Sequence, residues 1–183
     1  MDLGIKLGKN FHRNKFGGLE IGLFNNPSKE FYGAQIGGGN TSYHGKGIQI
    51  GIANVTLDRG INNLFLGDLN FSGVQVSGNN HYDGKIKGLQ IAAMTNIAKE
   101  VDGTQLSLGA NIIEPYLSGE SKAIQAGPVN LCTSRLIGVQ IGIFCYAQKG
   151  KFLQLGLLTM RGGEKPWYLR VTPFVGYKNN LRE

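Results

Sequence analysis

The sequence predicts an all-β fold of stacked coils, a tandem-repeat β-solenoid closed by a C-terminal cap, and three observations lead to it. Glutamine recurs in one frame at Gln35, Gln49, Gln75, Gln90, Gln105, Gln125, Gln140 and Gln154, with glycine close before it and Gly, Ala or Ser close after. Around each glutamine the apolar letters alternate with period two, so that Ile48, Ile50 and Ile52 share one face of a strand while Gln49, Gly51 and Ala53 share the other. Helix is disfavoured throughout, because the 29 glycines penalise it and no sustained amphipathic stripe appears.

The frame repeats at about fifteen residues, giving about eleven coils when Lys6, Glu20 and Phe65 are counted as positions where glutamine is replaced. The clearest copies read Gly47-Ile48-Gln49-Ile50-Gly51-Ile52-Ala53-Asn54 and Gly138-Val139-Gln140-Ile141-Gly142-Ile143. Two steps depart from the mean: Phe65 to Gln75 is short, and Gln105 to Gln125 is long. The long step predicts a loop excursion at 112–122, since insertions in repeat proteins map to loops. The chain then reads as one repeat domain over 1–183, with an N-terminal repeat or cap at 1–16, a repeat body at 17–160 and a C-terminal cap at 161–183. In that cap Trp167, Tyr168, Val171 and Phe174 have left the frame and stand beside Lys165 and Arg170.

Two arrangements of such strands compete. In a solenoid each coil lies parallel and in register on the one before, identical side chains meet at the strand spacing, and Gln and Asn ladders satisfy their amides along the stack. That gives the recurrence of Gln a physical cause, and it gives the asparagines Asn25, Asn40, Asn54, Asn80 and Asn130, five residues after the frame position, a place at a coil corner. The alternative is a closed antiparallel up-and-down barrel of about twelve strands, each long enough to cross a bilayer, with Ile, Leu and Val outward and Gly, Gln and Asn inward. Antiparallel neighbours gain less from keeping the same letter in phase, which favours the solenoid. Within the solenoid the usual burial of branched aliphatics predicts Ile48, Ile50, Ile52, Val139, Ile141 and Ile143 in the core, with Gln49 and Gln140 on the opposite face.

Charge and composition bound the chemistry. The net charge of +7 gathers towards the ends, with Lys6, Lys9, Arg13 and Lys15 at the start and Lys149, Lys151, Arg161, Lys165, Arg170, Lys178 and Arg182 towards the finish. Polar end coils keep solenoids from stacking end to end, so capping is the structural reading of these residues; weak contact with an anionic polymer or membrane surface is the functional one. Sequence-specific nucleic-acid recognition is not expected, as the basic residues lack interleaved aromatics. Cys132 and Cys145 lie at different phases of successive copies and read as buried free thiols.

Catalytic, cofactor and metal constellations are not found, and the expectation is a protein without enzymatic activity, cofactor or metal. His12, His44 and His81 are scattered in apparent turns, Gly33 with Gly37, Gly38 and Gly39 opens no helix, and there is no nucleophile elbow, phosphate loop or paired-histidine zinc motif. The only acids beside the excursion are Glu114 and Glu120.

The tandem frame Gly-x-Gln-Ile-Gly-x-x-Asn resembles the leptospiral-type surface-repeat family, bacterial proteins named for exposure at the cell surface. The resemblance runs over about residues 4–160, and Leu153-Gln154-Leu155-Gly156-Leu157-Leu158 followed by Pro166-Trp167-Tyr168-Leu169 looks like the closing segment of such chains. It implies no known activity and no cofactor, and a place at the cell surface or outer membrane if a leader is removed. Met1 leads directly into Leu3-Gly4-Ile5 with no basic-then-apolar leader, and otherwise the cytoplasm is expected. The leading functional expectation is a non-catalytic structural or binding protein, a rod presenting an exposed Gln, Gly and Asn face or a lateral edge to a partner, with homo-oligomers or another protein as candidates. A membrane-embedded barrel is the alternative, and a polysaccharide-active solenoid enzyme the third reading.

Overall fold

The computed structural model describes residues 2–7, 15–56, 69–114, 119–162 and 171–178. Its strands are β1 (Asp2–Leu7), β2 (Lys15–Thr56), β3 (Asn70–Ser107), β4 (Ala110–Ile113), β5 (Glu120–Ala126), β6 (Val129–Arg161) and β7 (Val171–Lys178). The first six are joined by parallel pairings only, as expected of stacked coils and not of an up-and-down meander. The long strands wind continuously: β2 carries Glu20, Gln35 and Gln49 through successive coils, and β3 carries Gln75, Gln90 and Gln105. The chain is a β-solenoid.

Register follows the frame. Lys6 stands opposite Glu20, Gln49 opposite Gln75, Gln105 opposite Gln125, and Gln125 opposite Gln140. Because Gln49 pairs directly with Gln75, no coil stands between them and Phe65 is not a frame position. Phe65 belongs to the segment 57–68, outside the described residues, and the step from Gln49 to Gln75 is a single longer one. Of the excursion expected at 112–122, Ile112 and Ile113 lie in β4 and Glu120, Ser121 and Lys122 in β5, with 115–118 outside the described residues.

The interior is the reverse of the expected one. Gln35, Gln49, Gln75, Gln90, Gln105, Gln125, Gln140 and Gln154 are fully buried, whereas Ile48, Ile50, Ile52, Ile141 and Ile143 are exposed and Val139 is only half-buried. The reason lies in the ladder. Each glutamine Nε2 donates to the side-chain oxygen of the preceding coil at 2.6–2.9 Å, from Gln154 back to Gln35, and Gln35 donates to the Glu20 carboxylate. Second amide hydrogens find further acceptors, such as the Tyr146 and Met160 carbonyls beneath Gln140 and Gln154. A buried amide normally costs free energy, but here each satisfies its neighbour.

Asparagine builds a second ladder of opposite polarity. Asn25, Asn40, Asn54, Asn80, Asn96 and Asn111 each donate from Nδ2 to the Oδ1 of the next asparagine at 2.7–2.9 Å, ending with Asn130 donating to the Cys145 thiol. The other Nδ2 hydrogen reaches a main-chain carbonyl of the following coil, such as Ile36, Ile50, Ile91 or Ile141. Asn96 and Asn111 arrive one residue later after their glutamines than the other asparagines do, yet pair with each other in register, so the extra residue is carried through two coils.

Apolar columns flank the amides. Phe16, Phe31, Phe71, Ile86 and Leu136 stand four residues before a frame position, and Tyr82, Ala98, Ile113, Cys132 and Ala147 two after an asparagine or Cys145; all are buried. Phe16 and Phe31 stack at 6.4 Å. Where Gly45 leaves room, Phe71 fills it, its ring 2.4 Å from where a Cβ would be. The Tyr82 hydroxyl donates to the Tyr43 carbonyl, and burial pushes its pKa far above the phenolic range, so it stays a neutral donor. Both cysteines are free and buried, as expected, and burial raises both thiol pKa values.

Strand β7 closes the stack by pairing antiparallel with β6, Gln154 facing Gly176 and Leu155 facing Val175. The last Gln Oε1 has no hydrogen bond among the described residues, and it lies 2.6 Å from where a Cβ on Gly176 would be, so only glycine lets the cap close over the ladder's end. Trp167 and Tyr168, expected in this cap, lie outside the described residues. Deleting 171–183 should expose the β6 edge from Phe152 to Met160 and turn a monodisperse protein into large assemblies in light scattering; a truncated chain that keeps its size would count against the cap.

Candidate functional site

Inversion of the coil decides what the protein shows to its surroundings. With the amides inside, period-two alternation sends the residues one before, one after and three after each glutamine outward. Before the glutamine these include Leu19, Ile48, Val74, Leu89, Ile124 and Val139; after it come Ile21, Ile36, Ile50, Val76, Ile91 and Ile141. Three places after stand Leu23, Ile52, Leu108, Ile143 and Leu157. None of these positions in any coil from Glu20 to Gln154 carries a charge. The partner strands keep the columns straight, as in Ile48 opposite Val74, Ile50 opposite Val76 and Ile124 opposite Val139.

Side chains in a column cover one another laterally, so Ile50 and Ile141 are less than half exposed, while the outermost column is open, with Ile52 at 74% and Leu108 at 80%. The cap prolongs the same face, placing exposed Val175 beside Leu155 and Tyr177 beside Leu153. The exposed Gln, Gly and Asn surface expected from the sequence is therefore replaced by an aliphatic sheet. Ile141→Asp should shift stability by less than about 1 kcal/mol in thermal or denaturant unfolding, since its carboxylate meets water; an unfolded variant would show Ile141 to be part of the core.

A basic row runs along one margin of this sheet. Lys46, Lys87, Lys122 and Lys151 each stand three residues before a glutamine and are exposed, and none has an ion-pair partner among the described residues. The lysines occupy alternate coils of this column, which also holds Tyr32, Ser72 opposite Lys46, Asp102 opposite Lys122 on one side, and Ile137 opposite Lys122 on the other. Other body charges pair across coils: Lys85 with Glu100 at 3.4 Å, Arg135 with Glu120 at 3.6 Å, and Lys99 with Asp83 at 4.0 Å.

Residues weighed for catalysis are not assembled into a site. His81 lies 3.5 Å from Asp83, His44 is half-buried elsewhere, and His12 is outside the described residues. Glu114 is exposed while Glu120 faces Arg135. Gly33 and Gly37 pack against the carbonyls of Gly18 and Gly22 in the coil before, which accounts for that glycine cluster by stacking. Among the described residues no three His, Cys, Asp or Glu side chains are grouped to hold a metal ion. No family model, curated protein or solved structure matches the chain.

Proposed function

We propose that the chain is a non-catalytic repeat protein, of the kind its frame resembles in the leptospiral-type surface repeats, whose rigid solenoid presents its aliphatic outer sheet to a partner. One observation carries the reading: the amides that could have faced water are buried in ladders, and the branched aliphatics that could have filled the core are outside. An aliphatic face with Leu23, Ile52, Leu108, Ile143 and Leu157 all more than half exposed is larger than the scattered apolar residues that monomeric proteins ordinarily leave open. Ladder rigidity fixes the positions of these side chains before any partner arrives, which lowers the ordering cost of association.

An environment-sensitive apolar dye such as bis-ANS tests the reading. The folded protein should bind it, and Ile52→Ser, Leu108→Ser and Ile143→Ser combined should abolish most of the signal while leaving the melting temperature within a few degrees. Absence of dye binding by the folded chain, or equal binding by the triple variant, would remove the face as a contact surface.

A further inference from the structure

Resting on that reading, we propose that the aliphatic sheet docks flat on a bilayer surface containing anionic lipids, with Lys46, Lys87, Lys122 and Lys151 meeting the headgroups. The inference joins two observations that have one explanation. From Glu20 to Gln154 the three outward columns carry no charge, and the lysines at their margin are exposed and have no ion-pair partner among the described residues, although neighbouring charges pair across coils. Acyl chains accept Ile, Leu and Val side chains without demanding complementary shape, while phosphate and carboxylate headgroups at the same depth accept ammonium groups on long flexible stems. A surface that is apolar at its centre and basic at its margin has the composition of an interfacial binder.

A second copy of the chain fits less of this. Two sheets packed face to face would cover the aliphatics, but among the described residues the face and its margin offer only Asp102 as a carboxylate for the lysine row, leaving most of that row unanswered. The sheet is also continuous with the cap, where exposed Tyr177 adds an amphipathic ring of the type enriched at the lipid–water boundary. This contact belongs to the body of the solenoid, not to the basic ends.

Co-flotation of the purified full chain with vesicles of phosphatidylcholine alone, or with added phosphatidylserine, tests the proposal, with light scattering of the vesicle-free protein alongside. Binding is expected to vesicles containing phosphatidylserine, much reduced on phosphatidylcholine. Each lysine adjoining an anionic surface contributes about fivefold, so Lys46→Ser, Lys87→Ser, Lys122→Ser and Lys151→Ser together should weaken partitioning by nearly three orders of magnitude. Ile52→Lys with Ile143→Lys should abolish it despite the added positive charge, and Ile52→Ser with Ile143→Ser serves if the first pair fails to fold.

Three results would overturn the lipid assignment. Anionic-vesicle binding that survives both isoleucine pairs would be electrostatic adsorption without docking. A dimer that Ile52→Lys and Ile143→Lys dissociate, with no vesicle binding, would identify a second copy as occupant and keep the face as a contact surface. A monomer that binds bis-ANS but neither vesicle would exclude lipid while leaving the broader reading standing.

Discussion

Gly73→Ala is expected to prevent folding altogether. Gly73 has φ of +143°, a conformation side chains resist, and an added Cβ would lie 1.9 Å from the Gly47 carbonyl oxygen of the coil beneath. The obstruction is backbone, so no rotamer change relieves it, and the strand cannot move away without breaking the hydrogen bonds between coils. Circular dichroism and limited proteolysis should report a chain without stable sheet structure. Gly39→Ala provides the contrast: its Cβ would meet only the Phe24 ring, at 3.2 Å, and Phe24 is exposed and free to turn, so this variant should fold. Equal behaviour of the two would show that close coil approach does not govern the stack.

Gln90→Leu should destabilise the protein by about 3–5 kcal/mol, read as a fall in the denaturant midpoint. It strands two buried groups, the Gln105 amide that donates to Gln90 and the Gln75 oxygen that accepts from it. Gln90→Glu separates hydrogen bonding from volume. Its carboxylate can accept from Gln105 but has nothing to donate to Gln75, and burial raises the folded-state pKa of a carboxyl above its unfolded value. Proton binding then favours the folded state, so stability is fully restored below the unfolded pKa and lost as pH rises through the folded one. A Gln90→Glu protein insensitive to pH would show that the ladder contributes little.

Solenoid class and the identity of most rungs were legible because a stacked parallel sheet forces chemically identical positions into register, and recurrence in sequence is the record of that stacking. Which side of the strand lies inside was not legible from alternation, since period two marks two faces without saying which is buried. Ile48, Ile50 and Ile141 face outward against ordinary hydrophobic preference because the amide ladder takes the interior. The deciding signal lay in tolerance within the chain itself. From Gln35 to Gln154 the inward rung is glutamine in every coil, while the place before it runs through Ala34, Ile48, Val74, Leu89 and Thr104. A close-packed interior admits one solution, and an outer surface admits many. Phe65 resembles a rung because it stands close to one full period after Gln49, and the direct pairing of Gln49 with Gln75 removes it from the frame. The lysine row is hard to read in sequence because its members occupy alternate coils, with Ser72, Asp102 and Ile137 between them in the same column.

The one-way polarity of the glutamine ladder bears on how the chain is made. Each newly translated coil brings an amide that donates backwards, and the oxygen it needs is already in place on the coil before it, starting from the Glu20 carboxylate. Assembly can thus proceed from the ribosome-distal end with every addition templated by its predecessor, and with contacts confined to near neighbours in sequence. The cost of this order falls on the growing tip, which presents an unpaired parallel edge until the next coil, or β7, pairs with it. Pairing of β7 with β6 covers that edge, and with it the stack loses its capacity to capture another strand there.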